Sequence, residues 1–162
     1  MRSIITALIF TTALSLIGCT KGGTLTRANG DQYTITSTAS SKQMVPAIDT
    51  TSGGTFTGFY DEQLNILTFT LSWTDLWRTN KDTITSVNFY GPAGAKENGA
   101  LVRSLPFVST NNEANANFGL AGLDGFTMSE KKSFLAGAYY FTINTKKYPN
   151  GIIRGQLTAT KQ

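Results

Sequence analysis

From Asp31 onward, apolar and polar residues alternate with a period of two, in short runs broken by Gly, Asn and Asp. Tyr33, Ile35 and Ser37 alternate with Thr34, Thr36 and Thr38. Further on, Thr55, Thr57 and Phe59 lie opposite Phe56, Gly58 and Tyr60. The sharpest run, Leu64–Trp73, puts Ile66, Thr68, Thr70 and Ser72 on one face and Leu67, Phe69, Leu71 and Trp73 on the other. The second set is expected to face the core. Asp61-Glu62-Gln63 is a polar break between two such runs and predicts a β-hairpin. Further strands are expected over Ile84–Tyr90, Ala100–Leu105 and Phe118–Leu123. A last pair, Tyr139–Thr145 and Ile152–Thr160, flanks the turn signal Pro149-Asn150-Gly151. The stretch Thr127–Gly137 departs from this period. Thr127 with Glu130 three residues on fits a capping box, Phe134 and Leu135 supply an apolar side, and Gly137 is a stop. Seven or eight short strands and one short helix predict an all-β antiparallel β-sandwich or Greek-key barrel forming one domain.

The amino terminus follows a different rule. Arg2 is followed by a mostly apolar stretch from Ile4 to Ile17, too short for a stable membrane span and laid out as a secretory signal. Leu16-Ile17-Gly18-Cys19 resembles the bacterial lipobox, which implies cleavage before Cys19 and lipid on its thiol. Several acyl chains would anchor the protein where one would not. Thr20, not Asp, follows the cysteine, which points to the outer membrane. The alternative is an ordinary cleaved signal with an incidental cysteine. The polar, glycine-containing stretch that follows reads as a tether. The expected division is a signal peptide over 1–18, lipidated Cys19 with a flexible tether over 19–31, and a β domain over 32–162.

Composition narrows the function. Hydrophobic residues make up 40% of the chain and charged residues only 15%, so the domain should fold and not remain disordered. The net charge of +4 comes from dispersed Lys and Arg, not a basic stripe, and nucleic acid is not an expected partner. Lys131-Lys132 and Lys146-Lys147 read as solvated surface. The single cysteine rules out an internal disulfide. With no histidine, the commonest general base and metal ligand are missing.

The closing segment Tyr139–Leu157 resembles the end of the CHRD (chordin-type) domain, which typically carries a Tyr-Val-Asn-Val-His-Thr strand, a Pro-Gly loop and Glu-Ile-Arg-Gly-Gln. Tyr140, Thr145, Pro149, Gly151, Ile153, Arg154, Gly155 and Gln156 keep that pattern. Three earlier pieces match in order. They begin at Ser41 (the Gln-Glu-Val-Pro opening), at Leu64 (the central strand) and at Ser86 (the His-Ile-His-Gly-Pro segment). The resemblance spans roughly Tyr33 to Thr158 and implies an extracytoplasmic β-domain of the immunoglobulin-like or superoxide-dismutase-like kind. It does not imply an enzyme. Asn88, Tyr90 and Asn144 stand where the family commonly has histidine, and Met44 and Ile152 where it has acids. Amides and a phenol are poor ligands for zinc or copper, so no metal and no cofactor are expected.

Arg154 is the residue singled out, as structural glue between loops or as an anion receptor, with Asn88, Tyr90 and Asn144 expected to share one polar cluster with it. Trp77 and Arg78 are a candidate binding surface. The aromatic residues Trp73, Trp77, Tyr90, Phe107, Tyr139 and Tyr140 are candidates for a groove, with core packing as the other reading. The loops Trp77–Asp82, Gly91–Gly99 and Thr110–Asn117 are the expected contacts for a protein or glycan partner. The Ser129–Lys132 spacing matches a Ser-x-x-Lys pair but has no companion motif. A calcium site in the loop containing Glu97 and Asn98 is a minor alternative, and the acids Asp75, Asp82, Glu113 and Asp124 show no telling spacing. The expected function is a membrane-anchored, non-catalytic binding or structural lipoprotein. The alternative is a small-molecule or carbohydrate binder with a pocket between the sheets, and a hydrolase ranks behind both.

Overall fold

A computed structural model describes residues 30–76, 82–110, 114–120 (backbone) and 125–162. The strands run β1 Gln32–Ser40, β2 Gly53–Asp61, β3 Ile66–Thr74, β4 Ile84–Tyr90, β5 Leu101–Ser109, β6 Ala114–Leu120, β7 Tyr140–Thr145, β8 Ile153–Gln156 and β9 Thr158–Lys161. A short 3-10 turn, Ser41–Gln43, follows β1, and α1 spans Met128–Leu135. The strands form one antiparallel sheet in the order β5-β4-β7-β8-β1-β2-β3-β6, with β9 also paired to β1. The sheet curls into an all-β sandwich with a single short helix.

The curl depends on β8. It pairs with β7 over four residues and touches β1 only at Arg154 opposite Ser40, after which the chain continues along β1 as β9. Buried Leu157 separates the two short strands. The expected single strand over 152–160 is therefore two. The switch requires close strand packing, and Gly155 permits it. A Cβ there would collide with Ser37 Oγ and would lie 2.7 Å from Phe141 Cε1 and 3.0 Å from Ala39 Cβ.

The two halves of the curled sheet face each other through aromatic rings. Phe56 stacks on Phe69 at 4.6 Å, and from the opposite half Phe89 meets both (6.2 and 5.4 Å) while Phe141 meets Phe56 (5.4 Å). Leu67, Phe69, Leu71 and Trp73 are all buried, as the alternation of β3 required. Each such side chain contributes about 1.5–3 kcal/mol on burial. A register shift between Ile84 and Ser86 resets the phase of β4, so Ile84, Val87 and Phe89 all reach the core. A second cluster, Tyr60, Phe126, Phe134 and Tyr139, seats α1 against the sheet. Burial pushes the phenols of Tyr60 and Tyr139 up to about 12.

α1 starts on the expected capping box. Glu130 N–H donates to Thr127 Oγ1 (3.2 Å) and Thr127 N–H to Glu130 Oε2 (2.7 Å). Gly137, at φ 77°, ends the helical segment as expected. The β2–β3 hairpin also forms, with Asn65 at φ 54° in the left-handed region that Asn tolerates. Two sequence readings need correction. β5 extends to Ser109, beyond the expected Leu105. Much of the supposed loop Thr110–Asn117 belongs to β6, where Ala114–Asn117 pair with Trp73–Thr70. That stretch is polar, but pairing needs only backbone groups, and β3 offers a free edge to them.

Candidate functional site

β7 is buried along its whole length. Phe141, Ile143 and Thr145 alternate with Tyr140, Thr142 and Asn144, so one set faces the core and the other the opposite face. Register places Asn88 opposite Thr142, and Thr142 opposite Arg154. It places Tyr90 opposite Tyr140, and Tyr140 opposite Gln156. Residues on three neighbouring strands thus converge on one outer face.

Three of the four expected cluster residues join through an aromatic stack. Asn88 Nδ2 donates to Tyr90 Oη (3.2 Å), and Ser104 Oγ donates to Asn88 Oδ1 (2.7 Å). The Tyr90 ring stacks on Tyr140 at 5.1 Å and 10°. The guanidinium carbon of Arg154 lies 3.5 Å from the Tyr140 centroid. Tyr140 Oη accepts from Gly99 N–H (3.1 Å), which fixes the ring. Asn144 shares the face but serves the β7–β8 turn, accepting from Thr142 Oγ1 and donating to the Pro149 carbonyl.

Above this face lies a cavity of about 560 Å³. Met44, Val45, Pro46 and Ile48 of the β1–β2 connection line one side. Lys147 to Gly151 of the β7–β8 turn line another. Tyr90, Tyr140, Thr142 and Arg154 contribute from the sheet, with Asn98 and Gly99 at the edge. Asn98 Nδ2 donates to the Val45 carbonyl (2.9 Å), linking two of these segments. Gly151, at φ 109°, makes the turn close: a Cβ there would sit 2.9 Å from Thr142 Cβ and 3.1 Å from Met44 Cε. The space between the sheet halves, where a pocket was expected, is filled by the Phe56, Phe69, Phe89 and Phe141 rings. The cavity lies outside the sandwich instead.

Arg154 dominates the electrostatics of the cavity. It is only 1% exposed. Its Nη2 donates to the Gly94 carbonyl (2.7 Å) and to Gln156 Oε1 (3.4 Å). Its Nη1 is buried with no hydrogen-bond partner. Among the described residues, the ion pairs lie elsewhere, at Lys42–Asp49, Arg103–Glu130, Lys131–Glu62 and Lys161–Asp31. No acid lines the cavity, while the exposed cation Lys147 does. Burial lowers the Arg154 pKa and the facing Tyr140 opposes that shift. A guanidinium nevertheless stays charged in proteins. The result is a buried positive charge without a counter-charge among the described residues.

Other expected residues have plainer places. Cys19, Trp77 and Arg78 lie outside the described residues, as does the loop Trp77–Asp82 except Asp82. Trp73 and Tyr139 are core, and Phe107 packs edge-on against Trp73 at 5.7 Å. The six aromatic residues therefore form no single groove: Tyr90 and Tyr140 alone of the described ones reach the cavity. Ser129 and Lys132 are exposed on α1 and belong to no cavity wall. Glu97 Oε2 accepts from its own loop at Gly94 N–H (3.3 Å), and Asn98 is tied to Val45. Among the described residues, no three of Cys, Asp and Glu are grouped to hold a metal ion. Two contributors escaped the sequence reading. Gln156 braces Arg154 and donates to the carbonyls of Ala93 (3.0 Å) and Gly137 (2.8 Å). The period of two in Ile-Arg-Gly-Gln places it on the same face as Arg154, which was the available signal. The segment Met44–Ile48 carried no such periodic signal.

A protein-family model described as the CHRD domain matches residues 35–157. No curated protein and no solved structure matches the chain.

Proposed function

Because this chain belongs to the CHRD domain family, a β-domain of the extracellular, binding type, we propose that it is a lipid-anchored, non-catalytic binding protein of the bacterial cell envelope that holds a small molecule in the cavity above Tyr140 and Arg154. The lipid sits on Cys19, the membrane is a partner through it, and the outer membrane is the location. The observation that carries the binding reading is the cavity itself. Its size falls in the range used for small ligands, and apolar walls there surround a few convergent polar groups. Those polar groups are braced by neighbours, so the site is pre-formed.

The test is a thermal-shift screen of the protein against sugars and small organic acids. A ligand that binds the folded state alone raises the melting temperature by mass action. A rise that disappears in Tyr140→Ala supports the reading. A screen without any shift removes it. Mass spectrometry of the mature amino terminus tests the anchor separately, and an unmodified Cys19 thiol rejects it.

A second reading, contact with a protein or glycan, is supported by the exposure of Gly94–Asn98 at the tip of the Gly91–Gly99 loop. The same loop is tied inward at Ala93, Gly94, Asn98 and Gly99. It therefore serves first as a wall of the cavity.

A further inference from the structure

We propose that the cavity takes an anionic ligand, a small carboxylate on a ring-shaped body, and that the Arg154 guanidinium is the group that receives the carboxylate. This rests on the reading that the cavity is a ligand site, and it adds the ligand's charge and shape.

Three observations converge. The first is charge. Arg154 lines the cavity, is almost fully buried, and takes part in none of the ion pairs among the described residues. A buried ion without a counter-charge is strongly unfavourable, and proteins ordinarily supply a partner. Here the missing partner is external, because no acid among the described residues lines the cavity and the other charged residue there, Lys147, is also cationic.

The second is valence. Nη2 is occupied by the Gly94 carbonyl and Gln156, while Nη1 has no partner. A buried guanidinium left partly unsatisfied is unfavourable, and a charge-assisted hydrogen bond to a carboxylate oxygen relieves it. Tyr140 under the guanidinium and Gln156 beside it hold the group in place before any ligand arrives.

The third is shape and polarity. The cavity walls at Met44, Val45, Pro46 and Ile48 are apolar, and Tyr148 adds a ring near the mouth. Apolar walls suit a ligand with a flat or ring-shaped body. They disfavour a dianion such as phosphate, which loses more hydration on entry. A single negative charge matches the single buried positive one.

The experiment measures binding of matched probe pairs to the full-length protein in detergent, by calorimetry and by thermal shift. The pairs are benzoate against benzamide and glucuronate against glucose, with inorganic phosphate as a third arm. At least one carboxylate should bind tenfold or more tightly than its neutral partner. Arg154→Gln should abolish that discrimination, and Lys147→Ala should weaken carboxylate binding only two- to threefold. Comparison within the wild-type pairs needs no variant, so it stands even if Arg154→Gln does not fold. Neutral members binding as well as their acids would overturn the carboxylate assignment while leaving the cavity a ligand site. Phosphate binding more tightly than either acid would overturn it in favour of a phosphate ligand. No binding by any probe, together with a blank thermal-shift screen, would remove both this inference and the reading beneath it.

Discussion

Gly155→Ala should destabilise the domain by about 3 kcal/mol, the upper end of the 1–3 kcal/mol typical when a packed core receives one extra carbon. The upper end applies because the new Cβ meets atoms on two flanking strands at once. Phe141 Cε1 on β7 lies 2.7 Å away, and Ala39 Cβ on β1 lies 3.0 Å away, with Ser37 Oγ closer still. Neither strand can yield freely. β7 is paired on both sides, to β4 and β8, and β1 to β2 and β9. The melting temperature should fall by about 6–12 °C, from roughly 2–4 °C per kcal/mol at this chain size. Urea unfolding followed by circular dichroism measures the change, with an unchanged slope expected. Gly94→Ala is the control. Its Cβ would meet only the Glu97 side chain, at 3.6 Å or more, so stability should stay within about 0.5 kcal/mol. If Gly155→Ala behaved like Gly94→Ala, the claim that close packing at β8 closes the sandwich would be wrong.

Thr127→Ala removes the hydroxyl that accepts from Glu130 N–H, and should lower stability by about 1 kcal/mol in the same urea experiment. Burial pushes the Glu130 carboxyl up, but its bonds to Thr127 and the Arg103 charge outweigh this and hold it below its usual value. Its stabilisation is therefore present above the unfolded pKa and lost as pH falls through the lower folded one, so Glu130→Gln should flatten the acid limb of a stability–pH curve. Tyr60 and Tyr139 have phenols raised from 10.0 to about 12, so they favour the fold fully below pH 10 and less as pH rises through 12. Unfolding midpoints measured across that window should drop, and Tyr139→Phe should reduce the drop. Elemental analysis of purified protein should find no stoichiometric zinc or copper, and an equimolar ion would overturn that expectation.

The strands were legible because β3, β2 and β1 each expose one face and bury the other, which writes a period of two into the chain. The capping box at Thr127 and Glu130 was legible for a similar reason: it is a contact between neighbours in sequence. Only the Phe118–Leu120 end of β6 was legible, because pairing through backbone groups leaves little trace in the preceding stretch rich in Asn and Ala. The break at Leu157 was hidden because β8 and β9 both alternate without a turn residue between them. At the site, register carries Arg154, Asn88 and Tyr90 to one face, and the alternation of their strands made that shared face legible. The cavity itself was not legible. It depends on how the Ser41–Ser52 connection and the β7–β8 turn fold over that face, and such long-range contacts leave no local pattern. The alternative site, a pocket between the sheets, has no room there, because four phenylalanine rings occupy that space.

The most direct test is a diffraction structure of the protein crystallised with benzoate. The carboxylate should lie within hydrogen-bonding distance of the Arg154 guanidinium, with the ring against the Met44–Ile48 wall. A cavity that stays closed to benzoate, or benzoate held only by surface lysines, would contradict the account.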